Sequence, residues 1–326
     1  MSPRGGSRRG GSGRGGQGGP GRGRSGAAGR QGGRGGAGGG RGRPDARRPT
    51  PSGGAPKGTG RPAEGRPRGR PGPPRGLDGT QVEGRHAVRE LLLAGRRRVT
   101  EVLVAADLDA SPVVDEIIDL AEADGVPVSR PSRTRLEATA RTEAPQGVVA
   151  LAAPLEDHDL DALAAGTVRA TASGDGPPFL LALDGLTDPG NLGAVLRSAS
   201  AAGVTGVVLP RHRAVHVTPT VAKAAAGAIE HLPMALVGGL PAALAQLRER
   251  GVWSVGLDAD GDRPLWDLDV ADQPLVLVVG AEGAGLSRLV RERCDQVVAI
   301  PMRGPLDSLN AATAAALACF EVARRR

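Results

Sequence analysis

Five polar residues in three separate stretches of this sequence are suited to act together: Asn191, Arg197, Glu282, Ser308 and Asn310. In each stretch they follow a short apolar run of strand type, through a loop of glycine or other small residues. Open α/β sheets bind ligands at such loops, outside the carboxyl ends of their strands. Backbone groups there can hold an adenosine cofactor, and a fixed arginine can meet a phosphate or an activated hydroxyl. The acid and the amides can orient that arginine through hydrogen bonds.

The first stretch, residues 183–210, begins where a predicted strand at Phe179 to Leu183 ends. A helical pattern then starts at Asn191, which suits the N-cap position. Arg197 lies two turns along this helix, on the side opposite Val195. A cap asparagine and a helical arginine can also be ordinary structural residues, so this stretch alone leaves both interpretations open.

The second stretch, Leu275 to Leu286, is an apolar strand that ends in a loop from Gly280 to Gly285. The loop is a weak signal because its glycines are spaced GxxGxG, whereas dinucleotide-binding proteins carry GxGxxG. The third stretch, Ala299 to Thr313, leads from a strand to Ser308-Leu309-Asn310 at the start of the last predicted helix. The sequence has no Walker lysine, no GxSxG elbow, and no HExxH or Cys/His spacing for a metal.

Residues 1–80 differ in composition from the rest of the chain. They hold 30 of the 52 glycines, 18 of the 42 Lys and Arg, and 3 of the 35 Asp and Glu, so their net charge is +15 and that of the remainder is −8. So little apolar surface cannot offset chain entropy, and we predict a disordered Arg/Gly-rich tail. Its arginines favour an electrostatic RNA tether that neutralises phosphates; a spacer without a partner is the alternative.

The remaining residues, about 245, suffice for one large or two smaller domains. Cys294 and Cys319 form no disulfide framework or metal cluster, and neither a signal peptide nor a membrane-spanning run is visible. We therefore expect a cytoplasmic protein. With two Phe, two Trp and no Tyr, binding of nucleic acid by base stacking on aromatic side chains is not expected to dominate.

Two folded regions are predicted. Residues 81–154 alternate short helices and strands as a small α/β domain, in which His86 is expected to be structural or to contact a phosphate. Residues 155–178 are interpreted as a linker. From residue 179 to 326, near-continuous apolar strands alternate with helices, which predicts a parallel sheet covered on both faces. The predicted strands are Phe179 to Leu183, Val204 to Leu209, Met234 to Val237, Val252 to Leu257, Leu275 to Val279 and Val297 to Ile300.

Taken in order, the three motifs resemble those of the SpoU (TrmH-like) family of RNA 2′-O-ribose methyltransferases in the SPOUT superfamily. The first motif is Asn191-Leu192-Gly193 through Arg197-Ser198, the second is Gly280-Ala281-Glu282-Gly283 with Gly285, and the third is Ile300-Pro301-Met302 through Ser308-Leu309-Asn310. Residues 82–151 resemble the family's small L30e-like substrate-binding domain, with Gly84-x-His86-Ala87-Val88 near its start. This layout is similar to the bacterial RlmB type, which methylates a guanosine of 23S rRNA.

The resemblance implies a deep trefoil knot in the C-terminal domain and a homodimer packed across it. It also implies a pocket for S-adenosylmethionine, in contact with Gly280, Gly283, Ile300, Ser308 and Leu309. Arg197 would act on the ribose hydroxyl, either as a base assisted by an RNA phosphate or as a group that orients the hydroxyl. Asn191 and Glu282 would hold Arg197 and the active loop in place, and Ser308 and Asn310 would complete the site.

Two alternatives to a 23S rRNA guanosine methyltransferase remain open at this stage. Within the same chemistry, the substrate can be tRNA or the rRNA loop modified by related antibiotic-resistance enzymes. In a different class, the chain can be a non-catalytic RNA-binding factor for ribosome assembly. The five polar residues favour an enzyme, and the separate domain before the motifs favours rRNA over tRNA.

Overall fold

The computed structural model describes residues 77–170, 174, 176–212, 217–305 and 308–326. The predicted disordered tail, residues 1–80, lies almost entirely outside these ranges. All described residues belong to one structural unit of the chain. None of the helices within the described ranges is long and apolar enough to cross a membrane.

The small domain is a sheet with helices, as its alternating pattern predicts. Its elements are β1 (Gln81–Glu83), α1 (Arg85–Ala94), β2 (Val99–Val104), α2 (Pro112–Ala123), β3 (Val128–Ser129), α3 (Arg133–Thr139) and β4 (Val148–Ala152). The strand order is β1-β4-β2-β3, with β4 antiparallel to both of its neighbours and β2 parallel to β3. The apolar side of α1, which includes Val88 and Leu91, packs into the core of this domain.

The segment 155–178, interpreted above as a linker, contains a helix, α4 (Leu160–Ala164). Its Leu160 and Leu163 are buried in the same core cluster as Leu244 and Leu247. This part of the segment therefore belongs to the core of the larger domain.

The larger domain alternates strands and helices. Its elements are β5 (Phe179–Leu183), α5 (Pro189–Ala201), β6 (Gly206–Pro210), α6 (Pro219–Ala224), β7 (Met234–Val237), α7 (Leu240–Glu249), β8 (Trp253–Leu257), β9 (Arg263–Pro264), β10 (Leu275–Val279), α8 (Arg288–Arg291), β11 (Gln296–Ala299) and α9 (Ala311–Arg325). Within the described residues the sheet order is β7-β6-β5-β10-β8-β11-β9, and every pairing is parallel.

The centre of this sheet positions the candidate site. All residues of β5 and β10 are buried, because helices cover the sheet on both faces. The chain leaves β5 toward β6 on one side, while β10 pairs with β5 on the other. Strand order therefore changes direction here, and a crevice for ligands is expected at the carboxyl ends of β5 and β10. The α/β fold with a parallel sheet is confirmed; the trefoil knot stays a prediction.

Helix boundaries differ from the sequence prediction at two places. Helix α5 begins at Pro189, and its N-cap is Asp188, whose carboxylate accepts a hydrogen bond from the Asn191 backbone N–H at 2.6 Å. Asn191 is therefore inside the first turn and is not the cap. The sequence pattern from Thr220 to Ile229 predicts a single helix, but α6 ends at Ala224, because Ala226 and Gly227 adopt positive φ angles of 49° and 85°.

Acid is expected to remove a stabilising contact at the end of α9. The Glu321 carboxylate accepts hydrogen bonds from Arg324 and Arg325, and these bonds, foremost that from Arg324, lower its pKa to about 2 from an ordinary 4.5. A depressed folded-state pKa adds stability above the unfolded-state pKa and loses it as the pH falls toward the folded value. We predict that Glu321→Gln destabilises the protein at pH 7, and that its difference in unfolding free energy from wild type narrows between pH 4.5 and 2.

Denaturant unfolding of both proteins across this pH range measures the effect. A difference that stays constant from pH 7 to pH 2.5 would contradict it.

Candidate active site

Three polar side chains from three different loops bind one another beyond the carboxyl ends of the strands. The Asn191 amide donates to Glu282 Oε2 at 2.9 Å, and the Asn310 amide donates to Asn191 Oδ1 at 3.0 Å and to Glu282 Oε1 at 3.4 Å. The first, second and third sequence motifs therefore each contribute one member. The cluster ties the start of α5, the loop after β10 and the start of α9 together.

The N-cap of α9 fixes the orientation of this cluster. Asn310 Oδ1 accepts hydrogen bonds from the backbone N–H groups of Ala312 at 2.8 Å and Thr313 at 3.4 Å. Its Nδ2 group must then face away from the helix, toward Asn191 and Glu282. Asn310 thus caps a helix and also supports a neighbouring loop. A structural role and a place in the candidate site are therefore compatible for this residue.

A cavity of about 460 Å³ opens beside this cluster. It lies over the ends of β8, β10 and β11 and is bounded by the first turn of α9. Glu282 lines it. So do all the residues that were predicted to contact a cofactor, which are Gly280, Gly283, Ile300, Ser308 and Leu309. Its volume is within the range of small-molecule sites in proteins.

The loop after β10 can form this cavity wall only because of its glycines. Ala281 and Gly285 exchange two backbone hydrogen bonds of 3.0 Å, which closes the loop into a tight turn. A Cβ atom at Gly280 would lie 2.2 Å from the carbonyl carbon and oxygen of Gly285. Real atoms do not approach so closely, so any side chain at residue 280 must displace the loop.

We predict that Gly280→Ala weakens binding of the cofactor by at least about tenfold, because the displaced loop carries Glu282 and narrows the cavity. Calorimetric titration with S-adenosylmethionine measures this loss. The matched control is Gly304→Ala, since a Cβ at Gly304 meets no atom within 4 Å. Equal affinity in the Gly280 variant and in wild type would show that the loop is not a wall of the binding site.

Asp258, which the sequence analysis did not select, also lines this cavity. Its side chain is 13% exposed and forms an ion pair with Arg291 at 2.9 Å. It also accepts a hydrogen bond from the Leu286 backbone N–H at 3.2 Å, so it anchors the far end of the glycine loop. An Asp at the end of β8 follows a strand like the other motif residues, but no glycine-rich loop marks it in the sequence.

Arg197 lies apart from the three-residue cluster. It is exposed on α5 and lines a second cavity of about 370 Å³, together with His86, Glu90 and His231. Within the described residues its side chain makes no hydrogen bond or ion pair. Among the described residues no hydrogen bond joins Arg197 to Asn191 or Glu282; these two bind each other and Asn310, and so support the loop after β10. Arg197 is six positions after Asn191 on α5, which places it about 9 Å further along the helix axis.

A buried ion pair joins the small domain to the larger one next to this region. Arg97 donates to both carboxylate oxygens of Glu230, at 2.8 and 2.6 Å, and the two side chains are only 7% and 1% exposed. Arg97 also donates to the carbonyls of Gly79 and Ala153, both at 2.7 Å. One arginine thus connects both ends of the small domain with the turn after α6.

Comparison with known families assigns both domains. Residues 178–320 match the SpoU rRNA Methylase family, and residues 81–158 match the RNA 2′-O ribose methyltransferase substrate binding family. The TrmH family protein YacO of Bacillus subtilis is 41% identical over 245 residues, which cover 75% of this chain and 95% of YacO. The chain therefore belongs to the SpoU/TrmH family of RNA methyltransferases.

Solved structures agree with this assignment. The SpoU methyltransferase AviRb from Streptomyces viridochromogenes superimposes with a TM-score of 0.62 at 29% identity, covering 76% of this chain and 89% of AviRb. A second AviRb structure, in complex with the cofactor AdoMet, has a TM-score of 0.60 at the same identity, covering 75% and 89%. An RNA 2′-O ribose methyltransferase also has a TM-score of 0.60, at 26% identity, with 75% and 88% covered.

Proposed function

We propose that this chain methylates the 2′-hydroxyl of a ribose in RNA with S-adenosylmethionine as the methyl donor, and that the ribose belongs to a guanosine of 23S rRNA. The observation that carries the proposal is the cluster of Asn191, Glu282 and Asn310 at the mouth of a cavity of about 460 Å³. Membership in a family of RNA methyltransferases supports it, as does the AdoMet complex of AviRb.

The cavity fits the proposed cofactor. Apolar side chains such as Leu257, Ile300 and Leu309 line it and suit an adenine ring, while the loop around Gly280 and Gly283 offers backbone groups. Glu282 supplies a carboxylate at its mouth, which complements a positively charged sulfonium. When bound, S-adenosylmethionine supplies a methyl group that is already activated for transfer to an oxygen.

The chain's own task is to place a ribose hydroxyl correctly and to assist loss of its proton. Asn191, Glu282 and Asn310 hold the loops together, and Ser308 lines the cavity. Arg197 is assigned to the RNA, where its guanidinium binds a phosphate next to the reacting ribose. A guanidinium is protonated at neutral pH, so orienting the hydroxyl and stabilising charge suit it better than acting as a base.

A homodimer is part of the proposal, with α9 at its interface. Leu317 and Phe320 are 42% and 50% exposed, three residues apart on one side of this helix. Ala311 and Ala314 of the same helix line the cofactor cavity, so the exposed apolar side chains lie on an element of the active site. Large exposed apolar side chains placed together are typical of protein interfaces, and a second copy of the chain offers a matching surface.

We predict that Phe320→Glu converts the dimer to a monomer, because a carboxylate would be buried without a partner. Light scattering coupled to size-exclusion chromatography gives the mass. Leu289→Glu is the matched control, since Leu289 is 53% exposed on α8. A wild-type mass equal to one chain would contradict the dimer.

The experiment that tests the proposed function is transfer of labelled methyl from S-adenosylmethionine to unmodified 23S rRNA, 16S rRNA and tRNA in parallel. Label on 23S rRNA is the expected result. Label confined to tRNA would overturn the target, and the name tRNA/rRNA methyltransferase given to YacO makes that arm necessary. Cofactor binding without label on any RNA would favour a non-catalytic role in ribosome assembly.

A further inference from the structure

The groove between α1 of the small domain and α5 of the larger domain combines side chains from both that can donate hydrogen bonds to an anion. His86 on α1 and Arg197 on α5 are exposed and line the same cavity of about 370 Å³. His86 also lines a neighbouring cavity of about 450 Å³, which includes Arg85 and Arg133. The two cavities share His86, so together they are lined by Arg197, His86, Arg85 and Arg133, of which Arg133 is also paired with Asp107 at 3.1 Å.

The walls of this groove are held in place by close packing. A Cβ atom at Gly227, in the turn after α6, would lie 2.5 Å from Glu90 Cβ and 3.2 Å from Ala87 Cα. The turn and α1 therefore contact each other almost backbone to backbone. The buried pair Arg97–Glu230 ties the segment after α6 to the small domain. These contacts hold α1, which carries His86, in place against the larger domain, which carries Arg197.

Two acids line these cavities, Glu90 and Asp109, and of these Glu90 is paired within the protein. Glu90 binds Arg89 at 2.6 Å and His231 Nε2 at 2.8 Å. The side chains of His86 and Arg197, in contrast, make no hydrogen bond or ion pair with any of the described residues. Two side chains able to donate to an anion thus point into one groove without partners inside the protein.

We propose that this groove holds the backbone of the RNA substrate beside the target nucleotide, and that His86 is a positioning residue whose ring binds a phosphate next to the one bound by Arg197. The inference rests on the proposed function. A row of separated basic groups suits a chain of phosphates better than a single anion. The residues after position 80 carry a net charge of −8, so a local basic groove is what permits their contact with RNA.

The test compares RNA binding and turnover by the full-length chain with His86→Ala, His86→Arg and a matched control, His212→Ala. His212 is also exposed and without a hydrogen bond among the described residues, but lies outside this groove. Loss of a hydrogen bond to a charged phosphate is expected to weaken RNA binding about tenfold in His86→Ala. The KM for RNA rises correspondingly, while kcat, affinity for S-adenosylmethionine and unfolding midpoint stay at wild-type values.

Rescue and salt dependence complete the test. His86→Arg should restore RNA affinity because it preserves a donor to phosphate. Arg197→Ala should reduce the slope of log Kd against log salt by about 0.7 to 0.9, the value for one phosphate contact. Wild-type RNA affinity in His86→Ala, or a loss of RNA affinity no larger than that of His212→Ala, would overturn the proposal that this groove binds the RNA backbone. It would leave the proposed reaction intact. Failure of the wild type to bind RNA would overturn both.

Discussion

Replacing Arg197 with alanine is expected to lower the rate of methyl transfer to RNA by about 10²–10³-fold, the usual cost of removing one charge-stabilising donor from an active site. Affinity for S-adenosylmethionine should be unchanged, because Arg197 lines the groove with His86 and does not line the cofactor cavity. Single-turnover transfer to RNA measures the rate, and calorimetric titration measures the cofactor affinity.

Two variants make this prediction specific. Arg197→Lys keeps the charge but loses the planar, bidentate guanidinium, so an intermediate rate is expected. Arg98→Ala removes another exposed arginine whose side chain makes no hydrogen bond within the described residues, and it should behave as wild type. A wild-type rate in Arg197→Ala would contradict the assignment of Arg197 to the reaction. A loss of cofactor affinity would mean that Arg197 contacts the cofactor and not the RNA.

Replacing Arg97 with methionine is expected to lower the free energy of unfolding by about 3–5 kcal/mol. The change leaves the carboxylate of Glu230, which is 1% exposed, buried without its partner. It also removes two hydrogen bonds to the carbonyls of Gly79 and Ala153. Denaturant unfolding followed by circular dichroism measures the loss.

The double variant Arg97→Met/Glu230→Gln separates the buried charge from the lost packing. It should recover a large part of the stability, because no unpaired charge then remains inside the protein. The control is Arg263→Met, since the Arg263–Asp269 pair is 43% and 64% exposed and solvent screens it, so its loss should change stability very little. A small loss in Arg97→Met, similar to that of the control, would mean that this pair does not hold the domains together.

Apolar periodicity predicted the apolar strands of the fold but not its shortest, polar strands. The strands Phe179–Leu183, Met234–Val237 and Leu275–Val279 have the predicted bounds, because each is a short apolar run ended by turn residues. The strands β1 and β9 were missed. They are two or three residues long and contain Gln81, Glu83 and Arg263, so pairing with a neighbouring strand is their only signal.

The helix cap at α5 was misplaced although the signal was present. Asp188-Pro189 combines a good N-cap residue with proline at the first helical position, and this pair marks the start more strongly than Asn191 does. With the start moved, Asn191 is free to join the cluster with Glu282. A local error in the boundary therefore hid a contact that links distant segments.

The candidate site was predictable where it depends on strand ends and not where it depends on docking of the small domain. Parallel strands bring their carboxyl ends to one edge, so the meeting of Asn191, Glu282 and Asn310 follows from the fold. The surroundings of Arg197 are set by the position of α1, which no spacing along the chain encodes. His86 and His231 gained their place in the groove for the same reason.

The measurement that tests the central claim most directly is the chemical position of the transferred methyl group. RNA labelled from S-adenosylmethionine is digested with alkali, which cleaves beside a free 2′-hydroxyl but not beside a methylated one. We expect the label in alkali-resistant dinucleotides with wild-type protein, and the same label formed about 10²–10³-fold more slowly with Arg197→Ala. Label released on a base after complete hydrolysis would contradict ribose methylation and the roles assigned to this site.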